Sequence, residues 1–134
     1  MPELSITLSQ QGDTAVNGKL GDHSVTIDRP VEKGGGNLGA MGGQYLVASI
    51  GGCFSSTFFA AAKSRAIAVE GFKVEVSAGL SEQQPKRFDK ISIKASYDSC
   101  SVPEEFGKLL EIAEKGCIAL NTVKGGLPVT VEAR

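Results

Sequence analysis

The chain has 134 residues, enough for one domain, and its 41% hydrophobic and 22% charged residues are ordinary for a globular protein. A net charge of −1, with lysines and arginines scattered along the chain, argues against nucleic acid or a membrane surface as a partner. Three cysteines without a CxxC pair, and a single histidine, argue against zinc binding and a disulfide framework. Because the N-terminus carries no signal-peptide pattern, we expect a cytoplasmic protein whose thiols are reduced.

The first part of the chain is predicted to form an antiparallel meander of three strands. Apolar and polar residues alternate over residues 4–8, 14–20 and 23–28, with turn residues between these segments. The glycine-rich residues 29–43 follow and lack the pattern of a phosphate-binding loop. We interpret them as a flexible connection, and the alternative is a mobile loop beside a functional site.

Residues 44–65 are predicted to form a helix that belongs in a core. Apolar residues lie on every face of this helix, whereas a surface helix would have a polar face. In so small a protein, one thin sheet cannot cover such a helix on all sides. The pattern therefore indicates a dimer that shares its core. The apolar residues concerned are Leu46, Val47, Ile50, Cys53, Phe54, Phe58, Phe59 and Ala62.

The second half of the chain is predicted to contain a hairpin, a helix and a last strand. Alternation over residues 72–80 and 91–97 predicts two paired strands. An amphipathic helix follows, with an apolar stripe that reaches Cys117, and the helical region ends at residues 125–126. Residues 129–131 predict a final strand. The order β-β-β-α-β-β-α-β, with locally paired strands, indicates the α+β class.

Two of the cysteines lie on the predicted helices. Cys53 is about two turns into the first helix, beyond the strongest reach of that helix's dipole. A cation from elsewhere would therefore have to favour its thiolate, and the candidates are Arg29, Lys33 and Arg87. Cys53 and Cys117 could meet if the second helix packs on the first, and two adjacent thiols could reduce a peroxide. The alternative is that these thiols only fill space in the core, as we expect for Cys100.

Three stretches of the chain, in order, resemble the OsmC/Ohr family of organic hydroperoxide resistance proteins. They are the glycine loop and first-cysteine helix of residues 34–53, the hairpin segment of residues 86–93, and the second-cysteine segment of residues 111–117. The resemblance runs from about residue 25 to the C-terminus. It implies a single OsmC-like domain over residues 1–134, with antiparallel sheets wrapped around central helices in an intertwined homodimer.

The resemblance also implies an activity and roles for individual residues. Cys53 would be the peroxidatic thiol and Cys117 the resolving thiol of a peroxidase that reduces organic hydroperoxides in oxidative stress defence. Arg29 would lie over the thiolate. The electrons would come from a small dithiol or a lipoylated protein, and no metal or organic cofactor is expected.

The sequence departs from the family pattern at two places. The acidic residue expected ten positions before the first cysteine is Gly43, and the proline expected after the second cysteine is Ile118. Gln44 could accept a hydrogen bond and is assigned to substrate binding. An alternative is therefore an OsmC-like protein without efficient peroxidase activity that binds a small ligand or senses redox state. A purely structural dimer is a third hypothesis.

Overall fold

The structure is a computed structural model that describes residues 2–134, and the chain divides into two compact units. One unit extends up to Leu46 and the other runs from Val47 to Arg134. Helices are combined with antiparallel sheets, so the α+β class is confirmed. The single domain over residues 1–134 stays a prediction.

The N-terminal unit contains the three-stranded meander. Strands β1 (Leu8–Gln11), β2 (Ala15–Leu20) and β3 (His23–Ile27) form an antiparallel sheet in the order β1-β2-β3. The first strand was predicted over residues 4–8, which is wrong in position. The pairing of β1 with β2 begins beside the turn, at Gln11 and Ala15, and ends at Leu8 and Gly18. The register of a hairpin is set by its turn, which alternation alone does not reveal.

Asp28 organises the glycine-rich segment that follows β3. Its buried carboxylate accepts hydrogen bonds from the N–H groups of Arg29 (2.7 Å), Gly36 (3.1 Å) and Leu38 (3.1 Å), and from the Thr14 hydroxyl (2.9 Å). A buried carboxylate is tolerated when hydrogen bonds replace its hydration. The glycine-rich segment is therefore held to the Asp28 carboxylate by several hydrogen bonds. This differs from the flexible connection that the sequence predicted.

The glycine-rich segment packs closely against the backbone of residues 26–29, and this requires glycine at two positions. A side chain at Gly35 would collide with the carbonyl group of Arg29, and one at Gly39 would collide with that of Thr26. A short 3-10 turn, Val31–Lys33, completes the connection. The glycines therefore serve close packing of the chain on itself, which is one of the ordinary uses of glycine.

We expect the stability that Asp28 provides to depend on pH. Burial raises the pKa of this carboxyl group, but its four hydrogen bonds outweigh that effect and hold the pKa below 3.8, its ordinary value. A carboxyl group with a lowered folded-state pKa stabilises the protein above its unfolded-state pKa, and this contribution is lost as the pH falls through the folded-state pKa. Urea unfolding between pH 7 and pH 3 should show Asp28→Asn to be less stable at pH 7 and less sensitive to acid. Asp22→Asn, at an exposed turn, is the control, and equal acid sensitivity of Asp28→Asn and the parent would contradict the prediction.

Helix α1 (Gly42–Ser64) confirms the long helix predicted from residues 44–65 and begins two residues earlier. Its buried side chains include Ile50, Phe54 and Phe58, which form part of the core of the C-terminal unit. Helix α1 is long and apolar enough to cross a membrane by length and composition alone. Core helices of soluble proteins meet the same two criteria. Six of its residues are buried, and five of these belong to the hydrophobic core cluster of the C-terminal unit.

The hairpin of the C-terminal unit is confirmed, and a second, very short strand pair accompanies it. Strands β5 (Lys73–Leu80) and β6 (Phe88–Ser96) pair antiparallel, as do β4 (Val69–Glu70) and β7 (Ser99–Cys100). A strand of two residues is too short for alternation to be recognised in a sequence. Gly51 of α1 lies where an added Cβ would be 2.7 Å from a Val76 methyl carbon, so glycine lets α1 approach β5 closely.

The C-terminal part of the chain differs from the prediction in two ways. The region predicted as one helix is α2 (Phe106–Gly116) followed by α3 (Ile118–Gly125), with Cys117 extended between them at φ −77° and ψ 111°. The strand predicted for residues 129–131 is wrong, because residues 127–134 have no regular structure and Val131 is 95% exposed. A strand needs a partner, and within residues 2–134 this segment pairs with none.

Candidate functional site

The structure brings Cys53 and Cys117 together in the C-terminal unit. The two thiols are close enough for each to affect the pKa of the other, and both belong to the hydrophobic core cluster or pack against it. Cys53 is half-buried, whereas Cys117 is 0% exposed. Two adjacent thiols of different accessibility can exchange between a dithiol and a disulfide, with the more exposed one meeting a reagent first.

The break between α2 and α3 positions Cys117. Helix α2 ends at Gly116, where an added Cβ would be 3.1 Å from a methyl carbon of Thr57 on α1. Asn121 donates a side-chain hydrogen bond to the carbonyl oxygen of Lys115 (3.0 Å), which satisfies an otherwise unpaired group at the end of α2. The N–H group of Leu120 donates to the Cys117 sulfur at 3.5 Å, so that Cys117 caps α3. Cys117 is thereby held against α1 at the start of a new helix.

The first turn of α3 affects the two thiols in opposite directions. The N–H group of Ala119 is the largest cause that lowers the pKa of Cys53, burial opposes it, and the Cys117 thiol and the Ile118 N–H group lower it further. Burial raises the pKa of Cys117, and the neighbouring Cys53 raises it again, although the N–H groups of Leu120 and Ala119 act against this. Cys53 should therefore lose its proton more readily than Cys117.

The structure adds an electrostatic contribution to Cys53 that the sequence did not predict, and the activating cation stays a prediction. From the sequence, the only helix dipole near Cys53 is that of its own helix, whose N-terminus is too distant, so a cation is predicted. The N–H groups of Ala119 and Ile118, in the first turn of a different helix, α3, also lower the pKa of Cys53. Gly116 is the signal that could have revealed this, because glycine commonly marks the end of a helix.

The other predicted site residues, Arg29 and Gln44, have local hydrogen-bond partners. Gln44 accepts a hydrogen bond from the N–H group of Met41 (2.9 Å) near the start of α1, and Arg29 is exposed with its N–H group bound to Asp28. Both belong to the N-terminal unit. Their roles in activation and substrate binding stay predictions.

Arg87 and Cys100 were also considered in the sequence, and neither is placed in the thiol pair. Arg87 donates from its guanidinium to the carbonyl oxygen of Pro85 at 2.8 Å, within its own turn. Cys100 lies in β7, half-buried against the core, which is consistent with a packing role. Among residues 2–134, no group of three or more histidine, cysteine, aspartate or glutamate side chains could hold a metal ion.

The fold and the thiol pair define an α+β protein in which Cys53, on a long helix, lies close to Cys117, at the junction of two further helices. The family model described as OsmC-like protein matches residues 34–132. The chain therefore belongs to the OsmC-like protein family. A comparison with curated proteins gives no match.

Several solved structures share the fold at low sequence identity. An OsmC-like protein from Mycoplasma pneumoniae is 18% identical, with a TM-score of 0.76 over 92% of this chain and 89% of that chain. An organic hydroperoxide resistance protein from Legionella pneumophila is 20% identical, with a TM-score of 0.68 over 93% of each chain. Another such protein, from Elizabethkingia anophelis, is 21% identical, with a TM-score of 0.69 over 92% of this chain and 91% of that chain.

Proposed function

We propose that this protein is a thiol-dependent peroxidase that reduces organic hydroperoxides through Cys53 and Cys117. The observation that carries the proposal is the asymmetry of the pair. A half-buried thiol and a fully buried thiol lie close enough to affect each other's pKa, which is lowered for the first and raised for the second. A thiolate is the nucleophile in such chemistry, and a neutral thiol beside it can resolve the oxidised product. The two hydroperoxide resistance proteins of similar fold support the substrate class.

The reaction consists of two thiol steps and a reduction. The Cys53 thiolate attacks the O–O bond, a sulfur–oxygen bond forms, and the alkoxide leaves as an alcohol after taking up a proton. Cys53 is now a sulfenic acid. The Cys117 sulfur then attacks it, so that a disulfide forms and water leaves. A dithiol, free or on a lipoylated protein, gives two electrons to the disulfide and becomes a disulfide itself.

We also propose that the protein is a cytoplasmic homodimer and that it acts in oxidative stress defence. Apolar side chains on α1 support a dimer, because Phe59 is 52% exposed although it lies in a largely apolar helix. A large apolar side chain that is half exposed on an apolar helix can be covered by a partner chain. A second copy packed against α1 would remove this surface from water. Neither nucleic acid nor a membrane is a proposed partner.

One equivalent of cumene hydroperoxide, added to the reduced protein, tests the proposal. Peptide mass spectrometry should find a Cys53–Cys117 disulfide, and dihydrolipoamide should then support many turnovers. Hydrogen peroxide should react more slowly, because it lacks the apolar group of the proposed substrates. Recovery of both thiols unmodified would contradict the proposal.

A second candidate function is redox sensing without efficient turnover. Gly43 favours it, because this position lacks the carboxylate that the family resemblance predicts for an activating arginine. In that case the disulfide would form with one equivalent of hydroperoxide, but the added dithiol would not sustain consumption. The same experiment therefore separates the two functions.

A further inference from the structure

A groove lies between β6 and the helices α2 and α3 of the C-terminal unit. It consists of two adjoining hollows, of about 330 Å³ and 260 Å³, which share the side chains of Ile91, Leu120 and Lys124. The first hollow is lined mainly by apolar side chains, and the second is lined by the consecutive residues 88–91 of β6. Successive side chains of a strand point to opposite faces of a sheet, so a hollow that touches consecutive residues lies along the edge of the strand.

This edge of β6 has no partner strand within residues 2–134. Strand β6 pairs with β5, and these two strands form a sheet of their own. No residue of β5 lines the second hollow, so the hollow lies on the edge of β6 that β5 leaves free. The unpaired N–H and C=O groups of an open strand edge can pair with a further strand.

The C-terminal segment of residues 127–134 has the pattern of a strand but lacks a neighbour. Its large apolar side chains are exposed, Leu127 by 62%, Val129 by 78% and Val131 by 95%. These residues are two positions apart, so they would share one face of an extended strand. Within residues 2–134, the segment pairs with no strand and its main chain makes no hydrogen bond. Main-chain groups and an apolar face are thus both available to a partner.

We propose that residues 127–134 of one chain add as a strand to the open edge of β6 in a second copy and fill the groove beside α2 and α3. The inference rests on the proposed homodimer and deepens it by naming a surface that joins the two chains. Each chain has one such segment and one such groove, so a two-fold dimer with reciprocal exchange fills both. Segment and edge also match in length, because β6 has nine residues and the segment is nearly as long.

The side chains of the segment suit the sheet that it would join. Its apolar face would continue the apolar face of β6 over the groove. On the other face, Glu132 would lie on the side of β6 that carries Lys90 and Lys94, and opposite charges on neighbouring strands attract. Pro128 has no N–H group to donate to a ladder, which suits a strand at the edge of a sheet.

The alternative occupant of the groove is the C-terminal segment of the same chain. Helix α3 ends at Gly126, which has a φ of 67°, and the preceding Val123 and Lys124 line the groove. The segment therefore starts beside the groove of its own chain, yet its apolar side chains are exposed and do not line that groove. A second copy offers the segment the same edge without requiring the chain to turn back on itself.

Photo-cross-linking between two kinds of chain distinguishes these occupants. One chain carries p-benzoylphenylalanine at position 131 and a heavy nitrogen isotope, and it is refolded together with unlabelled, unaltered chain. After irradiation, mass spectrometry should find the labelled segment joined to unlabelled peptides from residues 88–96. Cross-links to labelled β6 alone would place the segment in its own chain and overturn the proposal. Cross-links that avoid β6 altogether would overturn it as well.

Val131→Glu is a second test, with Thr130→Glu as the matched control. Both variants add one negative charge to the same segment, but only position 131 lies on the face that would enter the groove. Because a dimer contains this contact twice, Val131→Glu should raise its dissociation constant by roughly a hundredfold, whereas Thr130→Glu should change it little. Analytical ultracentrifugation measures both constants, and equal constants would overturn the proposal. Circular dichroism should show both variants folded, because residues 127–134 are exposed in the single chain.

Neither experiment uses a hydroperoxide, so the failure of this proposal and that of the proposed function can be told apart. Chains joined through residues 127–134 and β6 that never consume hydroperoxide would count against the peroxidase and leave the surface in place. A monomeric protein that consumes hydroperoxide would overturn the surface and leave the activity in place.

Discussion

Cys53→Ser is expected to reduce hydroperoxide consumption to the uncatalysed rate, whereas Cys117→Ser should still complete one turnover. A serine hydroxyl is a far weaker nucleophile than a thiolate at neutral pH, so the first step fails without Cys53. Without Cys117, the sulfenic acid on Cys53 has no adjacent thiol and accumulates. Stopped-flow consumption of cumene hydroperoxide, with trapping of the sulfenic acid by dimedone and mass spectrometry, measures both outcomes.

Cys100→Ser is the matched control for these substitutions. Cys100 also packs against the core, but it lies in β7, opposite Val69 of β4, and not in the thiol pair. We therefore expect the Cys100→Ser variant to consume hydroperoxide at the same rate as the parent protein. Undiminished turnover in Cys53→Ser would contradict the proposed function. A loss in Cys100→Ser as large as that in Cys117→Ser would show that the resolving thiol has been assigned wrongly.

The regular elements of the fold could be predicted where the sequence period is long enough to read. The apolar residues of α1 and the alternation along β5 and β6 identified these elements within a few residues of their ends. Structure that depends on a distant partner could not be predicted. β4 pairs with β7 over two residues, and residues 129–131 alternate but do not pair. The sequence period describes which face of a segment is buried, not whether a neighbour is present.

The thiol pair could be predicted, but the cause of its asymmetry could not. The two predicted helices suggested that Cys53 and Cys117 could meet, and the family resemblance paired them. The apolar stripe through Cys117 favoured one continuous helix, and this concealed the N-terminus of α3. Which N–H groups reach a sulfur depends on the backbone angles of one residue, and no local pattern specified them. The roles of Arg29 and Gln44 stay predictions.

Phe58→Ala is expected to lower the free energy of unfolding by about 3–5 kcal/mol, the usual cost of removing a fully buried aromatic ring. Phe58 is 0% exposed. Its ring is stacked on Phe72 with centroids 4.1 Å apart and meets Phe106 edge-on at 5.5 Å. Because these rings come from α1, the start of the hairpin and α2, the substitution leaves a cavity where the three elements meet. Urea unfolding followed by circular dichroism measures the loss.

Phe59→Ala is the matched control, since it removes the same ring from the next position of α1. Phe59 is 52% exposed and touches Phe58 and Phe72 only edge-on. In the isolated chain, Phe59→Ala should therefore lower the free energy of unfolding much less than Phe58→Ala does. Equal losses that persist on dilution would contradict the assignment of Phe58 to the centre of the core. A Phe59→Ala loss that disappears on dilution would mean that a second copy covers this ring, because only an interface between chains depends on protein concentration.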